Sequence, residues 1–546
     1  MKPTHYSEVM IREYLEKGYW ETTTIADIWD RNALQYPDRE ALVDSRMRLT
    51  WSEANQLADR IALGLVELGI GRDEVLVTQL FNCVELMLVY VACQKAGIIN
   101  LNLIRTMRHT EVNHVLKFTE ASAIVIPRQF RKFDYWDMIQ SIRPELPYLK
   151  HVLVIGDDVP EGAISTSEMT RRPLKDEHTP LLRERRFSAF DVSRIRHTTG
   201  STGFPKLIEE TNSNRIYLAR ELTRLLKITD TDIVGALVQL TGGGGSYALL
   251  CAPWVGAKSV LMEHFEAEEC FRLIEQERIT VAGVVPAILT LMVQHPSRGE
   301  YDLGSLRALA SHGAPLPSKL AQEAEEKLGC LILNRYGMAD GGSMSMASAD
   351  DPPEARHGTV GKPHSGNEFR IMDEEGNQVP AGEAGEVLFR GPGTHAGFFK
   401  DQERTAQTYD DDGWFATGDV GHLDEQGRLV LVDRLKDLII RGGENIYPSE
   451  IEDILMTNPK VANAAVVGMP DPVMGEKTCA YLVLKPGEQI SFDEMTSYLR
   501  GKSLAAFKLP ERLEIVGRFE LVSDQKVDKK GLRRDIQQKL ESEGKI

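Results

Sequence analysis

Between residues 268 and 335 the chain switches repeatedly between two periodicities. Apolar residues at helical spacing over 268–277, 287–294 and 317–328 alternate with short apolar runs at 280–285, 305–311 and 330–334. A short strand, a helix and another strand in succession require a crossover each time. Such strands therefore pair in parallel and are covered on both faces. The pattern predicts an α/β fold with parallel sheets. It also occurs near the start, where "LTWSEANQLADRIALGLVELGI" offers Ser52 as a helix cap ahead of apolar residues at helical spacing.

After Asp351 the texture changes. "GNEFRIMDEEGNQVPAGEAGEVLFRG" and "GHLDEQGRLVLVDRL" each read as strand, polar glycine-containing turn and strand, which predicts antiparallel hairpins in a small β-barrel-like subdomain. From Lys436 the pattern is mixed again: a helix near 448–457, strands at 462–468 and 478–484, a helix near 492–501 and a last helix from Lys529. A chain of 546 residues is too long for one core. The predicted division is a large domain over 1–435 and a compact α+β domain over 436–546, with no internal repeat.

A formal net charge of −17 argues against a broad nucleic-acid surface, although a few local Lys and Arg can still hold small anions. The opening "MKPTHYSEVM" has no apolar core of the signal-peptide kind. The apolar run 84–93 is too short for a membrane span and carries Glu85, so a cytoplasmic protein is expected. The six cysteines are scattered without a C-x-x-C pair, and no His pair has zinc-like spacing with them, which predicts reduced core thiols.

The most informative local stretch is Thr198-Thr199-Gly200-Ser201-Thr202-Gly203-Phe204-Pro205-Lys206, led in by a strand over 193–197 and out by Leu207-Ile208. Small and hydroxyl residues in a tight loop leave backbone N–H groups free to face an anion, and Lys206 adds charge. The spacing is not that of a Walker A loop. Alone, the stretch would also suit a flexible surface loop.

Four further stretches follow in order. They are His312-Gly313-Ala314-Pro315-Leu316; Asn334-Arg335-Tyr336-Gly337-Met338-Ala339-Asp340; Trp414-Phe415-Ala416-Thr417-Gly418-Asp419; and Asp433-Arg434-Leu435-Lys436-Asp437 with Arg441 to Glu450. Together with the loop they resemble the signatures of the adenylate-forming superfamily: acyl-CoA synthetases, luciferases and peptide-synthetase adenylation domains. The resemblance implies roles residue by residue. Thr198, Thr199, Gly200, Ser201, Thr202, Gly203 and Lys206 would hold ATP phosphates. Gly313, Ala314 and Pro315 would lie along adenine, with Tyr336 stacking on it and Gly337, Met338 and Ala339 beside it. Asp419 and Arg434 would bind ribose, and Thr202 and Asp340 would hold Mg²⁺, Asp340 standing where the family has Glu. Lys436 would be the hinge of a domain rotation, and Gly442 and Gly443 would line the thiol path. "LVSDQKVDKKGLR" places Lys526 at the catalytic lysine, with Gln525 where the family has Gly.

The chemistry so implied has two halves. A carboxylate attacks the α-phosphorus of ATP and expels pyrophosphate. A thiol, from CoA or from a carrier-protein phosphopantetheine, then attacks the acyl carbonyl and AMP leaves. Two anions must meet in the first half, so positive charge must already be in place.

For the acid, the resemblance is nearest the branch of 2,3-dihydroxybenzoate–AMP ligases and cyclic-acid CoA ligases. Where those enzymes carry P-x-x-H-N, this chain has Val238 to Ser246, a stretch with four consecutive glycines. Thr241, Gly242, Gly243, His312, Gly341 and Gly342 are the expected acid-pocket residues, the glycines widening it. The leading expectation is an acyl-CoA synthetase for a cyclic, aryl or other bulky acid. A carrier-protein-loading aryl-acid ligase and a non-catalytic nucleotide-binding relative are the alternatives. The acid and the oligomeric state stay open.

Overall fold

Nine strands form one sheet whose centre is parallel. The order is Leu331–Met338, Ala308–Ser311, Val281–Val284, Ile233–Ala236, Lys258–Leu261 and Glu40–Val43. Antiparallel strands close both edges: Gly342–Met346 with Lys362–Pro363 on one side and Arg48–Thr50 on the other. The computed structural model describes residues 1–175, 178–198, 205–442, 444–502, 504–522 and 526–545.

A second sheet has seven strands in the order Leu207–Thr211, Val192–His197, Ile99–Asn102, Val75–Thr78, Ala123–Pro127, His151–Ile155 and Ile164–Ser165. All neighbours are parallel except the first pair, which is an antiparallel hairpin. One hydrophobic cluster joins the two sheets through the helices Trp51–Glu67 and Val84–Ala96. In the second of these helices only Glu85 escapes burial, which is why it shows no single apolar stripe. Its Lys95 is fully buried, with Nζ 2.7 Å from Asp30, Asp59 and Asn55 oxygens, so the cation is not left unpaired inside.

Among the boundaries that differ from the sequence reading, two have a clear local cause. Thr50, not Ser52, caps Trp51–Glu67: its hydroxyl accepts from Glu53 N at 3.2 Å while the Glu53 carboxylate accepts from Thr50 N at 2.8 Å. The strand expected to stop at Asn334 runs on to Met338, because it changes partner there. It pairs in parallel with Ala308–Ser311 as far as Asn334, then antiparallel with Gly342–Met346.

The expected hairpins form a four-stranded antiparallel sheet of Glu368–Met372, Gly385–Arg390, Phe415–Leu423 and Leu429–Arg434. Further along, the long hairpin Val461–Asp471 and Gly475–Leu484 carries Ile439–Arg441, Glu444–Ile446 and Arg512–Ile515. The helices Pro448–Met456, Phe492–Gly501 and Lys529–Ser542 complete this α+β unit. All six cysteines are buried free thiols, in line with the sequence. No helix among the described residues is long and apolar enough to cross a membrane.

Candidate active site

The Ser/Thr/Gly stretch lies between the two strands of the antiparallel hairpin. Its neck is closed by Thr198 N donating to Lys206 O at 3.0 Å and Lys206 N donating to Thr198 Oγ1 at 3.1 Å. Thr199, Gly200, Ser201, Thr202 and Gly203 lie outside the described residues. Beyond the neck, Lys206 Nζ sits 2.8 Å from Asp340 Oδ2 and 5.9 Å from the centre of the Phe398 ring. Burial would raise the Asp340 carboxyl, but the Lys206 ammonium outweighs it and holds the group below the usual carboxylate range. An ionised carboxylate and an ammonium thus meet at the loop, both partly open to solvent.

Asp340 owes its place to the partner change in Leu331–Met338. Residues 339–341 make the turn into Gly342–Met346. In the antiparallel half, Tyr336 is buried and its hydroxyl donates to Asp419 Oδ2 at 2.6 Å. The other oxygen, Oδ1, lies 3.0 Å from Arg434 Nε, Asp419 and Arg434 being cross-strand neighbours. Burial, and then the Asp419 carboxylate, push the Tyr336 phenol well above its ordinary range, so it stays a donor. Two residues from separate sequence stretches therefore converge on the carboxylate of a third.

Gly313, Ala314 and Pro315 follow the strand Ala308–Ser311, with Gly313 and Pro315 exposed. That strand and the parallel half of Leu331–Met338 end on the same edge of the sheet. In parallel α/β sheets this carboxyl edge is where ligands bind.

The expected acid-pocket residues pack as a tight turn. Arg194 donates to Thr241 O at 3.1 Å, and Arg335 donates to Gly243 O at 3.0 Å and to Ser343 Oγ at 3.3 Å. Gly242 is exposed, and the π-helix Tyr247–Cys251 follows. The His312 ring lies against the turn: a Cβ at Gly244 would fall 2.1 Å from its Cε1. Space left by other glycines is taken as well. A Cβ at Gly341 would lie 2.6–2.7 Å from Met344, Met338 and Phe415. Gly342, at φ +116, would bring one to 2.1 Å from Gly393 O. Close packing is thus the structural reason for glycine at 244, 341 and 342, in place of the added width expected from the sequence. Burial, and then the charges of Arg335 and Arg196, lower the His312 imidazole to about 3, so it is neutral at ordinary pH.

The sequence reading passed over the charges behind this turn. Arg194 and Arg196 alternate along the strand Val192–His197 and so share a face. Glu210, on the paired strand, accepts Arg194 at 2.7 Å and Arg215 at 2.6 Å through the same Oε2. Burial opposes its ionisation, but Arg215, Arg194 and Arg196 together lower it to about 2. The period-2 arginine pair was the available signal. His395 was missed too. Burial lowers it to about 4 despite the nearby Asp340, and its ring meets Phe398 edge-on at 4.9 Å.

Lys436 is exposed in the 3-10 turn Leu435–Asp437. Asp433 Oδ2 accepts from Ser449 N at 2.9 Å, and Glu374 Oε1 accepts from Asn445 at 3.2 Å, so hydrogen bonds cross this turn. Gly442 is exposed and donates to Met474 O at 2.8 Å. Gly443 and Gln525 lie outside the described residues. Lys526 opens the short strand Lys526–Val527, whose backbone pairs with Leu521–Val522.

A family model described as AMP-binding enzyme matches residues 29–399, and one described as AMP-binding enzyme C-terminal domain matches 450–526. The chain is 31% identical over 540 residues to the 2,3-dihydroxybenzoate-AMP ligase of Bacillus subtilis (strain 168), covering 98% of each chain. It is 32% identical over 531 residues to the 2-hydroxy-7-methoxy-5-methyl-1-naphthoate–CoA ligase of Streptomyces carzinostaticus, covering 95% of this chain and 94% of that one. The crystal structure of the anthranilate CoA ligase AuaEII, in complex with anthranoyl-AMP, superposes with a TM-score of 0.85 at 25% identity, covering 95% of this chain and 98% of that one.

Proposed function

Since the chain belongs to the AMP-binding enzyme family and is an ATP-using, adenylate-forming acid ligase, we propose that it is an acyl-CoA synthetase for a cyclic, aryl or other bulky carboxylic acid. In this reading the acid attacks the α-phosphorus of ATP, pyrophosphate leaves, the CoA thiol attacks the acyl carbonyl, and AMP leaves. Similarity over nearly the full length to a naphthoate–CoA ligase and an anthranilate CoA ligase supports both the ring-bearing acid and the CoA acceptor.

The observation that carries the site assignment is the convergence of Tyr336 and Arg434 on Asp419. With both oxygens already engaged, the carboxylate is held in one orientation before nucleotide arrives. That suits a group that must accept ribose hydroxyls without reorganising. Gly313, Ala314 and Pro315 then lie along the adenine, with Gly337, Met338 and Ala339 beside it. Thr198 through Gly203 and Lys206 neutralise the phosphates. Lys526 bridges the incoming carboxylate and the α-phosphate and withdraws before the thiol step, as residues 436–546 turn about Lys436 and bring Gly442 and Gly443 to the acyl group.

Mg²⁺ fits the residues present. Magnesium is commonly held by one or two carboxylates together with substrate phosphates. Asp340 is ionised, partly open and faces the loop lysine; with Thr202 it would hold the ion, which would neutralise the departing pyrophosphate. Lys206 then exchanges Asp340 for phosphate oxygens.

The near full-length similarity to a 2,3-dihydroxybenzoate-AMP ligase favours a second reading, in which the acceptor thiol is a carrier-protein phosphopantetheine. A panel of aryl and alicyclic acids separates the two. The first reading expects AMP and acyl-CoA when CoA is added. Loading of a holo-carrier protein, with CoA left unconsumed, would reject it.

A further inference from the structure

We propose that the acid adenylated here carries a second anionic group, a distal carboxylate or its equivalent, received by Arg196 and Arg335 beside the Gly243 turn. This rests on the reading that Thr241, Gly242, Gly243 and His312 line the acid pocket. Two guanidiniums meet at that turn. A Cβ at Gly243 would lie 3.0 Å from the His312 ring and 3.8 Å from Arg196 Nη2, while Gly243 O accepts from Arg335 at 3.0 Å. Among the described residues Arg335 donates to neutral acceptors, Gly243 O and Ser343 Oγ, and lies over the Tyr247 ring at 5.9 Å. Arg196 is half-buried and has no hydrogen bond or ion pair among the described residues.

The protein's own carboxylates are already engaged. Glu210 serves Arg194 and Arg215, and Asp340 serves Lys206. Those two carboxylates also attract Arg196, Glu210 the more strongly, while Arg335 and Arg215 repel it, and His312 is neutral. Partly desolvated cations with no carboxylate in direct contact cost free energy, and a pocket that maintains two of them is matched to an anion. The reacting carboxylate loses its charge on becoming the anhydride, whereas a second anion keeps its charge throughout. Only the second anion balances these arginines in acid, adenylate and thioester alike. ATP phosphates are the other anions within reach of this strand, and the test separates the two.

Acid-dependent exchange of pyrophosphate into ATP is measured with matched pairs: benzoate against benzene-1,3- and benzene-1,4-dicarboxylate, and hexanoate against hexanedioate. The dicarboxylates are expected to exceed their partners by about tenfold or more in kcat/KM, the scale of a hydrogen bond to a charged group. Arg196→Gln should remove that preference, leaving the monoacids and the KM for ATP unchanged, and Arg196→Lys should keep part of it. Without nucleotide, a dicarboxylate should raise the melting temperature of the wild type but not of Arg196→Gln. Equal use of both members of each pair by the wild type would overturn the proposal. So would an Arg196→Gln variant whose KM for ATP rises equally with every acid, which would assign the guanidinium to phosphate. Absence of exchange with every acid would overturn the ligase reading itself.

Discussion

Glu209 lies in the second strand of the phosphate-loop hairpin, three residues after Lys206, and is almost wholly buried. One oxygen accepts Thr4 N at 2.8 Å and Thr4 Oγ1 at 3.0 Å, while Oε1 has no hydrogen-bond partner among the described residues. Burial raises its carboxyl to about 7, from 4.5, with the Thr4 hydrogen bonds only partly offsetting this. A group whose folded pKa lies above its unfolded value binds a proton more tightly in the fold. Its full contribution to stability is present below pH 4.5 and is lost as the pH rises through 7. At 1.36 kcal/mol per unit this amounts to about 3 kcal/mol. Glu209→Gln mimics the protonated form at every pH. Urea unfolding of both proteins from pH 4 to 8.5 should show equal stability at the acidic end. A gap in favour of Glu209→Gln should open between pH 4.5 and 7 and reach about 3 kcal/mol by pH 8. A gap that stays constant with pH, or a wild type that gains on the variant as pH rises, would refute the argument that the buried carboxyl is held protonated.

The buried arginine cluster makes a second, opposite case. Glu210→Gln leaves Arg194 and Arg215 without their shared carboxylate, and about 3–5 kcal/mol of unfolding free energy should be lost in urea titrations at neutral pH. Asp419→Asn retains one acceptor for Tyr336 or Arg434 but not both. It should raise the KM for ATP in pyrophosphate exchange by about tenfold or more, with acid KM little changed.

Parallel sheets were readable between 268 and 335 because strands there are short, apolar and separated by amphipathic helices. The hairpins after Asp351 were equally readable from their glycine turns. Strand Leu331–Met338 was not read to its end, because the continuous burial of 332–334 gives way to alternation where the partner changes, and Arg335 and Gly337 interrupt the apolar run there. Ser52 was read as the cap from its hydroxyl alone, whereas the extended backbone that a cap needs falls at Thr50. At the site, Tyr336, Asp419 and Arg434 were legible as separate stretches, but their convergence depends on which strands neighbour one another. Arg335 stands inside one of the quoted stretches and Arg196 in a period-2 arginine pair, but neither pattern assigns the residue a role. Their importance lies in having no carboxylate in hydrogen-bond contact among the described residues, a property of three-dimensional charge balance. The glycines at 244, 341 and 342 read as space, whereas packing fills that space with His312, methionines and backbone.

The most direct measurement of the central claim is pyrophosphate exchange into ATP, with Mg²⁺ and a panel of carboxylic acids, for the wild type and Lys526→Ala. The account predicts acid-dependent exchange by the wild type and a loss of about a hundredfold to a thousandfold or more in the variant, with ATP still bound. A wild type that never exchanges pyrophosphate with any acid would contradict it, as would a Lys526→Ala protein that exchanges at the wild-type rate.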